Sequence, residues 1–176
     1  MGEGRRAVEY ILGRHMAREF TGGRVEPEDM ELLKEVLRWA PSAGNRQPWF
    51  FYVVRDKAVQ SALAGAAYHQ HFVEEAAVVF VVCAEPERSA ARYKDRGRTL
   101  YCYQDTAAAV ENLLVAAEML GYGACWVGAF DEGAARKALE IPKHLRPVAI
   151  VPVGPCRAVT GFPDRRPAES VFKVID

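Results

Sequence analysis

Apolar residues recur every three or four positions near the start of the chain, which is the spacing of one helical face. The pattern predicts a first helix over residues 5–18 and a second over residues 27–40. Pro27 suits the first turn of the second helix, where its missing N–H costs nothing. Pro41 ends that helix, because proline cannot continue the hydrogen-bond ladder.

Farther along, apolar residues form short and nearly continuous runs, which are typical of strands buried inside a sheet. The run at 77–84 is rich in β-branched residues and predicts a central strand covered on both faces. The remaining runs predict strands at 50–54, 124–127 and 147–153.

Residues 103–120 give the longest helical pattern, and they are apolar nearly all round. A helix without a polar face is buried, so this one is predicted to lie at the centre of the fold. Asp56 and Asp131 are plausible N-caps for two shorter helices, which end near residues 68 and 139.

About five helices and four strands predict an α+β or mixed α/β layered fold, in one domain over residues 1–176. Residues 85–99 are polar and irregular, and predict a mobile excursion with a short helix. The tail, from about 155 to 176, closes with apolar residues that a solvated tail would not need. We therefore expect the tail to pack on a second subunit. Those residues are Val171, Phe172, Val174 and Ile175.

Charge and composition argue against several classes of partner. Lys and Arg number 23, as do Asp and Glu, which leaves no footprint for nucleic acid or an anionic membrane. The apolar stretch at 106–120 is too short and too polar to span a bilayer, and the N-terminus lacks the apolar region of a signal peptide. The four cysteines show neither a CxxC pair nor zinc spacing, which indicates free thiols and a cytoplasmic location.

Arg14 and Arg18 are four residues apart near the end of the first predicted helix, which would place both guanidinium groups on one face. One interpretation is that they complement the negative end of the helix dipole. The other is a paired anion site, with His15 as a further donor. Arg157, Arg165 and Arg166 give the tail a basic cluster, which is either solvated or a clamp on a phosphate.

The nine residues PSAGNRQPW at 41–49 combine two stiff prolines with one permissive glycine. Ser42, Asn45 and Gln47 offer directed hydrogen bonds from this loop. The loop is either a rigid connecting turn or a preformed binding loop for a flat ligand with polar edges.

The segment 121–130 joins the longest predicted helix to a strand, and small residues at Gly128 and Ala129 leave backbone N–H groups accessible. They serve either close packing or donation to the edge of a ligand ring. The chain contains no GxGxxG, GxxxxGK[ST] or GxSxG motif. The spacing of His69 and His71 is a weak metal signal without a carboxylate-rich partner segment, so we expect no metal site.

In this order, four segments resemble the nitroreductase family of flavoproteins. Residues 41–49 resemble its "aPSagNrQPW" loop, and residues 14–20 its "RRSxRxF" phosphate signature. Residues 107–130 resemble "NLLLAAealGlGtcWigaf", and residues 165–167 the closing "R-x-P". The resemblance extends from about residue 7 to the end of the chain.

The resemblance implies an α+β fold with a mixed sheet of four to five strands and a long buried central helix. It also implies an intertwined homodimer with one FMN at each subunit interface. NAD(P)H would supply hydride to the flavin, and a small oxidised acceptor would remove it in a ping-pong cycle. Nitroaromatics, quinones and free flavins all suit such a site. No side chain would act as a nucleophile.

Carried over by position, Arg14 and Arg166 would hold the FMN phosphate, and Arg18 would lie near flavin N1 and the C2 carbonyl. Ser42, Ala43 and Asn45 would come from the partner subunit. The N–H groups around Gly128 and Ala129 would meet N5 and O4. The full cofactor set expected from the resemblance is Arg14, His15, Met16, Arg18, Pro41, Ser42, Ala43, Asn45, Gln47, Gln70, Trp126, Val127, Gly128, Ala129, Arg165 and Arg166.

Two positions depart from the family pattern. Met16 stands where serine is usual, which removes one hydroxyl contact to the phosphate. Residues 69–72 lack the Asn and Lys that larger members place on the pyrimidine edge, and Gln70 is the candidate substitute. The tyrosines of and near 85–99 would either roof the substrate pocket or pack on the central helix; they are Tyr93, Tyr101 and Tyr103.

Other functions remain open at this level. A flavoprotein of this fold with a specialised reaction, such as dehalogenation, dehydrogenation or deazaflavin chemistry, would show weak turnover of NAD(P)H. A non-catalytic flavin carrier would bind FMN without an accessible N5. A plain interaction domain would bind no cofactor, but it has no need for the polar loop at 41–49.

Overall fold

The computed structural model describes residues 3–157 and 163–175, which form seven α-helices and a sheet of four strands. The helices are α1 (Glu3–Gly13), α2 (Pro27–Arg38), α3 (Lys57–Ala66), α4 (Phe72–Glu75), α5 (Pro86–Arg96), α6 (Cys102–Met119) and α7 (Glu132–Leu139). The strands are β1 (Trp49–Val54), β2 (Val78–Ala84), β3 (Gly123–Ala124) and β4 (Arg146–Gly154). Short turns of tighter or wider helix lie at Ala43–Asn45, Gly97–Tyr101 and Ala168–Ser170.

The sheet has the order β1-β2-β4-β3, and its described neighbours all run antiparallel. The α+β class and the four strands are confirmed, whereas the expected mixture of strand directions is absent from this part of the chain. Direction is set by the connections between elements, which a local pattern does not reveal. Every residue of β2 is buried, which confirms the predicted central strand.

Helices cover both faces of the sheet, and β2 shows this in its alternation. Val78, Phe80 and Val82 face a core built with α2 and α6, whereas Val79 and Val81 face a core built with α3 and α7. Successive side chains of a strand point to opposite faces, so one continuous apolar strand serves both cores. Each such side chain contributes about 1.5–3 kcal/mol on burial.

The longest helix and two of the predicted caps are confirmed. Helix α6 spans 18 residues, and the apolar residues of its inner face are fully buried. Asp56 accepts a hydrogen bond from the N–H of Val59 at 3.0 Å, and Asp131 accepts one from Ala134 at 2.9 Å. These bonds satisfy donors that the first turns of α3 and α7 leave open.

The first helix ends at Gly13, so the prediction that it reaches residue 18 is wrong. Residues 14–19 instead run along the edge of the sheet, where the N–H of Ala17 donates to the carbonyl of Ala124 at 2.9 Å. Phe20 forms a bridge with Cys156. Glycine weakens a helix, and pairing with the sheet outweighs the remaining helical preference.

The short helix predicted within 85–99 is confirmed as α5, but the segment is more regular than the expected excursion, because α5 continues to Arg96 and a wider turn then leads into α6. Its backbone departs from helical values at Lys94, where φ is 52° and ψ is −135°. Arg88 anchors the helix, since its Nε donates to the carbonyl of Arg46 at 2.7 Å. A polar helix held by such contacts has little apolar periodicity to reveal it.

The described part of the tail, residues 163–175, makes its hydrogen bonds within itself. Its apolar side chains are exposed, with Phe172 at 75% and Ile175 at 85%. Residues 158–162 of the predicted tail lie outside the described ranges. In those ranges, the helices are all too short or too polar to cross a membrane.

Candidate functional site

The loop at 41–49 is held in shape by its own side chains. The hydroxyl of Ser42 accepts a hydrogen bond from the N–H of Gln47 at 3.0 Å, and the side-chain amide of Gln47 donates to Asn45 at 3.1 Å. Gly44, Asn45 and Gln47 all have left-handed backbone, with φ between 50° and 55°. Asparagine and glycine tolerate this region, so the sequence suits the conformation.

Neighbouring elements clamp the same loop. The N–H of Ala43 donates to Oδ1 of Asp105, on the first turn of α6, at 3.0 Å. The Tyr93 hydroxyl of α5 occupies the space that a Cβ on Gly44 would need, so a larger residue at 44 would displace the Tyr93 side chain. Burial raises the pKa of Asp105, and the Ala43 N–H offsets part of that rise. The other carboxylate oxygen of Asp105 is buried without a hydrogen-bond partner in the described part of the protein.

The strip at 14–18 lies along α6 and β3. Arg14 donates to Glu111 at 3.1 Å, and Nδ1 of His15 lies 3.5 Å from Glu118. Because the strip is not helical, Arg14 and Arg18 do not share a helix face as predicted. Met16 stands where the family usually has serine, and its sulfur accepts a hydrogen bond from the N–H of Trp126 at 3.3 Å.

Four of the predicted residues converge near the end of this strip. The guanidinium carbon of Arg18 lies 5.9 Å from the centre of the Phe72 ring. Two residues before Phe72, the Gln70 amide donates to the carbonyl of Ala67 at 2.9 Å and to that of Ala129 at 3.4 Å. Ala129, which follows Gly128, therefore lies beside Gln70.

The donors at this convergence lack partners within the described ranges. Arg18 is exposed and has no carboxylate within 4.0 Å, and the N–H groups of Gly128 and Ala129 donate to no other described residue. A Cβ on Gly128 would meet nothing nearer than the Trp126 ring nitrogen at 4.0 Å. Val127, in contrast, is buried and pairs with Ile150. The corner formed by residues 18, 70 and 126–129 therefore presents an exposed cation and two exposed backbone donors next to the Gln70 amide.

An open cleft of about 290 Å³ lies next to Gly128. Tyr103 lines it, as do two charged residues that the sequence reasoning missed, Glu132 and Arg146. Nothing in their local sequence signals this role, because α7 and β4 bring them together only in the fold. The cleft lining is completed by Phe130, Pro147 and Val148.

Tyr93 and Tyr101 do not line this cleft. Their rings meet edge to face at 5.1 Å, and Tyr93 covers the loop at Gly44. Arg96 donates to the Tyr101 hydroxyl at 2.8 Å. Of the three predicted tyrosines, only Tyr103 is therefore beside Gly128.

Within one chain, the loop at 41–49, the strip at 14–18 and the tail arginines lie apart from one another. The loop meets α6 at Asp105, whereas the strip at 14–18 meets it at Glu111 and Glu118. At a rise of 1.5 Å per residue, these contacts are about 9 and 20 Å farther along the helix. Arg165 donates to Pro163 and Arg166 to Ser170, both inside the tail, so neither reaches Arg14 in this arrangement.

Cysteine and metal chemistry find no support in the part of the chain that the structure describes. Burial raises the pKa of Cys83 to about 12, and burial also raises those of Cys102, Cys125 and Cys156. Such thiols stay protonated and are poor nucleophiles at neutral pH. No three His, Cys, Asp or Glu residues of the described ranges gather closely enough to hold a metal ion.

The corner around Gly128 fits the ring of FMN. A flavin has acceptor atoms along one edge of a flat ring, and the unpartnered N–H groups of Gly128 and Ala129 are donors suited to such an edge. Arg18 is an exposed cation at the same corner, and a reduced flavin carries negative charge. The phosphate end is less complete in one chain, because Arg14 already pairs with Glu111 and the tail arginines lie apart.

The model of the protein family described as "Nitroreductase family" matches residues 11–70 and 60–155 of this chain. The chain is 33% identical over 151 residues to a protein of Archaeoglobus fulgidus that is provisionally named an NADH dehydrogenase/NAD(P)H nitroreductase, covering 84% of this chain and 83% of that one. It is 32% identical to the NADH dehydrogenase of Thermus thermophilus, with coverage of 84% and 87%.

A solved structure with the same fold is the NADPH:FMN oxidoreductase of Vibrio harveyi, determined in complex with NAD+. It superposes with a TM-score of 0.86 at 25% sequence identity. The match covers 95% of this chain and 75% of that protein.

Proposed function

The chain belongs to the nitroreductase family of oxidoreductases, and we propose that it binds FMN, takes hydride from NAD(P)H and reduces a small oxidised acceptor. The observation that supports this best is the convergence of Arg18, Gln70 and the free N–H groups of Gly128 and Ala129. Arg18 and the two N–H groups are exposed and donate to no other described residue, whereas Gln70 also donates to Ala67 and Ala129.

Bound FMN would supply the chemistry, by accepting a hydride and passing it to the acceptor in a ping-pong cycle. The protein would hold and tune it. Gly128 and Ala129 would donate to the N5 and O4 edge, and Gln70 would meet the pyrimidine edge. Arg18 would stabilise the negative charge that develops at N1 and the C2 carbonyl on reduction.

The phosphate would be bound by Arg14 together with Arg166. Binding would require Arg14 to share its charge between Glu111 and the phosphate, which its five N–H donors permit. Arg165 and His15 would add positive charge or a donor. Because Met16 replaces the usual serine and already accepts a hydrogen bond from Trp126, it would offer the phosphate no hydroxyl contact.

A homodimer would complete the site, with Ser42, Ala43 and Asn45 supplied by the partner. Two exposed surfaces support this assembly. One is the tail, whose apolar side chains lie in solvent. The other is a groove of about 390 Å³ between α1, α2 and α6, where Ile11 is 52% and Trp39 75% exposed. We propose that residues 1–176 form one domain whose tail packs on the partner subunit.

The acceptor would be a nitroaromatic, a quinone or a flavin. NAD(P)H and the acceptor would use the same open side of the cofactor in turn, next to the cleft at Gly128. The cleft is open to solvent at its mouth and lined on one side by Phe130, Pro147 and Val148. Such a surface suits flat, partly apolar molecules of several kinds.

Arg18→Ala tests the proposed chemistry. Loss of the cation should lower the two-electron potential of bound FMN by roughly 30–60 mV, which corresponds to one charge-assisted hydrogen bond. Reduction by NAD(P)H should slow in parallel. The measurement is a spectroscopic potential titration against a reference dye. Arg24→Ala is the matched control, because Arg24 is an exposed arginine paired with Glu26. A potential that stays equal in both variants would refute the role of Arg18.

A further inference from the structure

The hydroxyl group of Tyr103 is oriented by a hydrogen bond that it accepts from Arg146. It lies on the first turn of α6 and lines the cleft beside Gly128. Nη1 of Arg146 donates to its oxygen at 3.0 Å, and the guanidinium carbon lies 5.4 Å from the centre of its ring. The phenol oxygen is therefore an acceptor toward Arg146, since an arginine can only donate.

Arg146 is itself held by Glu132. Its Nη2 donates to Oε1 of that carboxylate at 2.7 Å, and its Nε donates to Oε2 at 3.0 Å. Hydrogen bonding to Arg146 lowers the pKa of Glu132, and the same bond raises the pKa of Arg146. Both groups stay ionised around neutral pH. All three guanidinium nitrogens already donate to protein atoms, so the group is a fixed support.

The hydrogen of the Tyr103 hydroxyl must then point away from Arg146. No described residue accepts this hydrogen. The nearby carboxylate of Glu132 accepts hydrogen bonds from Arg146 instead. Apart from the free N–H of Gly128, which is a donor, the other lining groups of the cleft are apolar or already hydrogen-bonded. The Tyr103 O–H is thus an oriented donor that faces the same cleft as Gly128.

We propose that Tyr103 selects the acceptor, by donating a hydrogen bond to an oxygen of a ring-bound carbonyl or nitro group in this cleft. This inference rests on the proposed function, which places the reactive edge of the flavin at Gly128. Tyr103 would favour acceptors that present such an oxygen over acceptors that take electrons without entering the cleft. Arg146 and Glu132 act through Tyr103 and are positioning residues.

Tyr103→Phe tests the proposal, because it removes the hydroxyl and keeps the ring. With FMN-loaded protein reduced by NADH or NADPH, reoxidation by 1,4-benzoquinone should slow about two- to tenfold, the range for one neutral hydrogen bond. Reoxidation by ferricyanide, which needs no carbonyl contact, should not change. The dissociation constant of benzamide, a carbonyl compound that is not reduced, should rise by a similar factor when followed through the flavin spectrum.

Tyr101→Phe is the matched control. Tyr101 also accepts a hydrogen bond from an arginine, Arg96, whose guanidinium carbon lies 5.2 Å from the ring centre. It does not line the cleft. The ratio of the benzoquinone and ferricyanide rates should therefore stay at the wild-type value in this variant.

Two outcomes overturn the role of Tyr103. The first is a Tyr103→Phe protein whose ratio and benzamide affinity match the wild type. The second is a change of equal size for both acceptors, which would indicate a general structural effect. Failure of the proposed function looks different, because the wild-type protein would then retain no FMN or would not be reduced by NAD(P)H.

Discussion

The loop at 41–49 and the tail at 163–175 are both polar-containing segments near the ends of secondary structure, yet they differ in what fixes them. The loop has three left-handed residues, internal side-chain bonds and clamps from α5 and α6. Among the described residues, the tail forms hydrogen bonds only within itself, and it leaves Phe172, Val174 and Ile175 at 75–85% exposure. Contacts within the same chain fix the conformation of the loop, whereas the apolar side chains of the tail have no such contacts among the described residues.

The difference indicates which half of the proposed site is preformed. A loop that is already rigid pays little conformational entropy when a ligand or partner arrives. An exposed apolar tail gains free energy only when another surface covers it. We therefore expect the loop to set binding geometry and the tail to make binding depend on assembly.

Removal of the tail should have the largest effect. A chain that stops at residue 162 should lose the proposed dimer and at least about 100-fold in FMN affinity, because two charge-assisted phosphate contacts would be lost. Light scattering and FMN titration measure the two effects. Arg165→Gln with Arg166→Gln is the control that keeps the apolar side chains, and it should weaken FMN binding while the dimer persists. A truncated monomer with unchanged affinity would remove the tail from the site.

Loss of the clamp on the loop should have the next largest effect. Asp105→Ala leaves the partly buried N–H of Ala43 without its acceptor and should cost about 1 kcal/mol in the free energy of unfolding. Asp105→Asn keeps an oxygen for that N–H and should cost less. Urea unfolding of both variants gives the comparison. Equal stability of the Ala variant and the wild type would show that the loop does not depend on this bond.

The smallest effect should be a dependence on pH. Because burial raises the pKa of Asp105, the folded chain holds this proton more tightly than the unfolded chain does. The stability from this group is present below the unfolded pKa, near 3.8, and is lost as pH rises through the raised folded pKa. The wild type should therefore gain stability relative to Asp105→Asn as the solution is acidified. A difference that stays flat with pH would show that Asp105 is not desolvated.

Much of the fold was predictable because its signals are local. The β-branched run of β2, the apolar length of α6 and the caps at Asp56 and Asp131 each follow from a few neighbouring residues. The loop at 41–49 was also recognisable, since its prolines, glycine and amides occur in one stretch. Such elements satisfy propensity and tertiary packing together.

The sequence-based predictions were wrong or incomplete where contacts between residues far apart in the sequence determine the structure. The first helix stops at Gly13 because residue 17 pairs with Ala124, a contact that no local pattern contains. Arg146 and Glu132 meet at the cleft only through the packing of α7 on β4. The role of Asp105 could have been found from the sequence, because a carboxylate inside an apolar helix requires a hydrogen-bond partner. In the structure that partner is the N–H of Ala43.

The role of a partner subunit lies beyond both sequence pattern and single-chain geometry. Arg14, Arg165 and Arg166 were grouped by resemblance, and one chain keeps them apart. The site roles assigned to these residues and to Ser42 and Asn45 stay predictions until the bound protein is measured.

The most direct test of the proposed function is the visible spectrum of the purified protein after incubation with FMN and removal of the unbound cofactor. NADH and NADPH are then added without oxygen. We expect a retained flavin band that bleaches with at least one of the two reductants and returns when a quinone is added. A protein that retains no FMN, or whose bound FMN stays oxidised with both reductants, would contradict it.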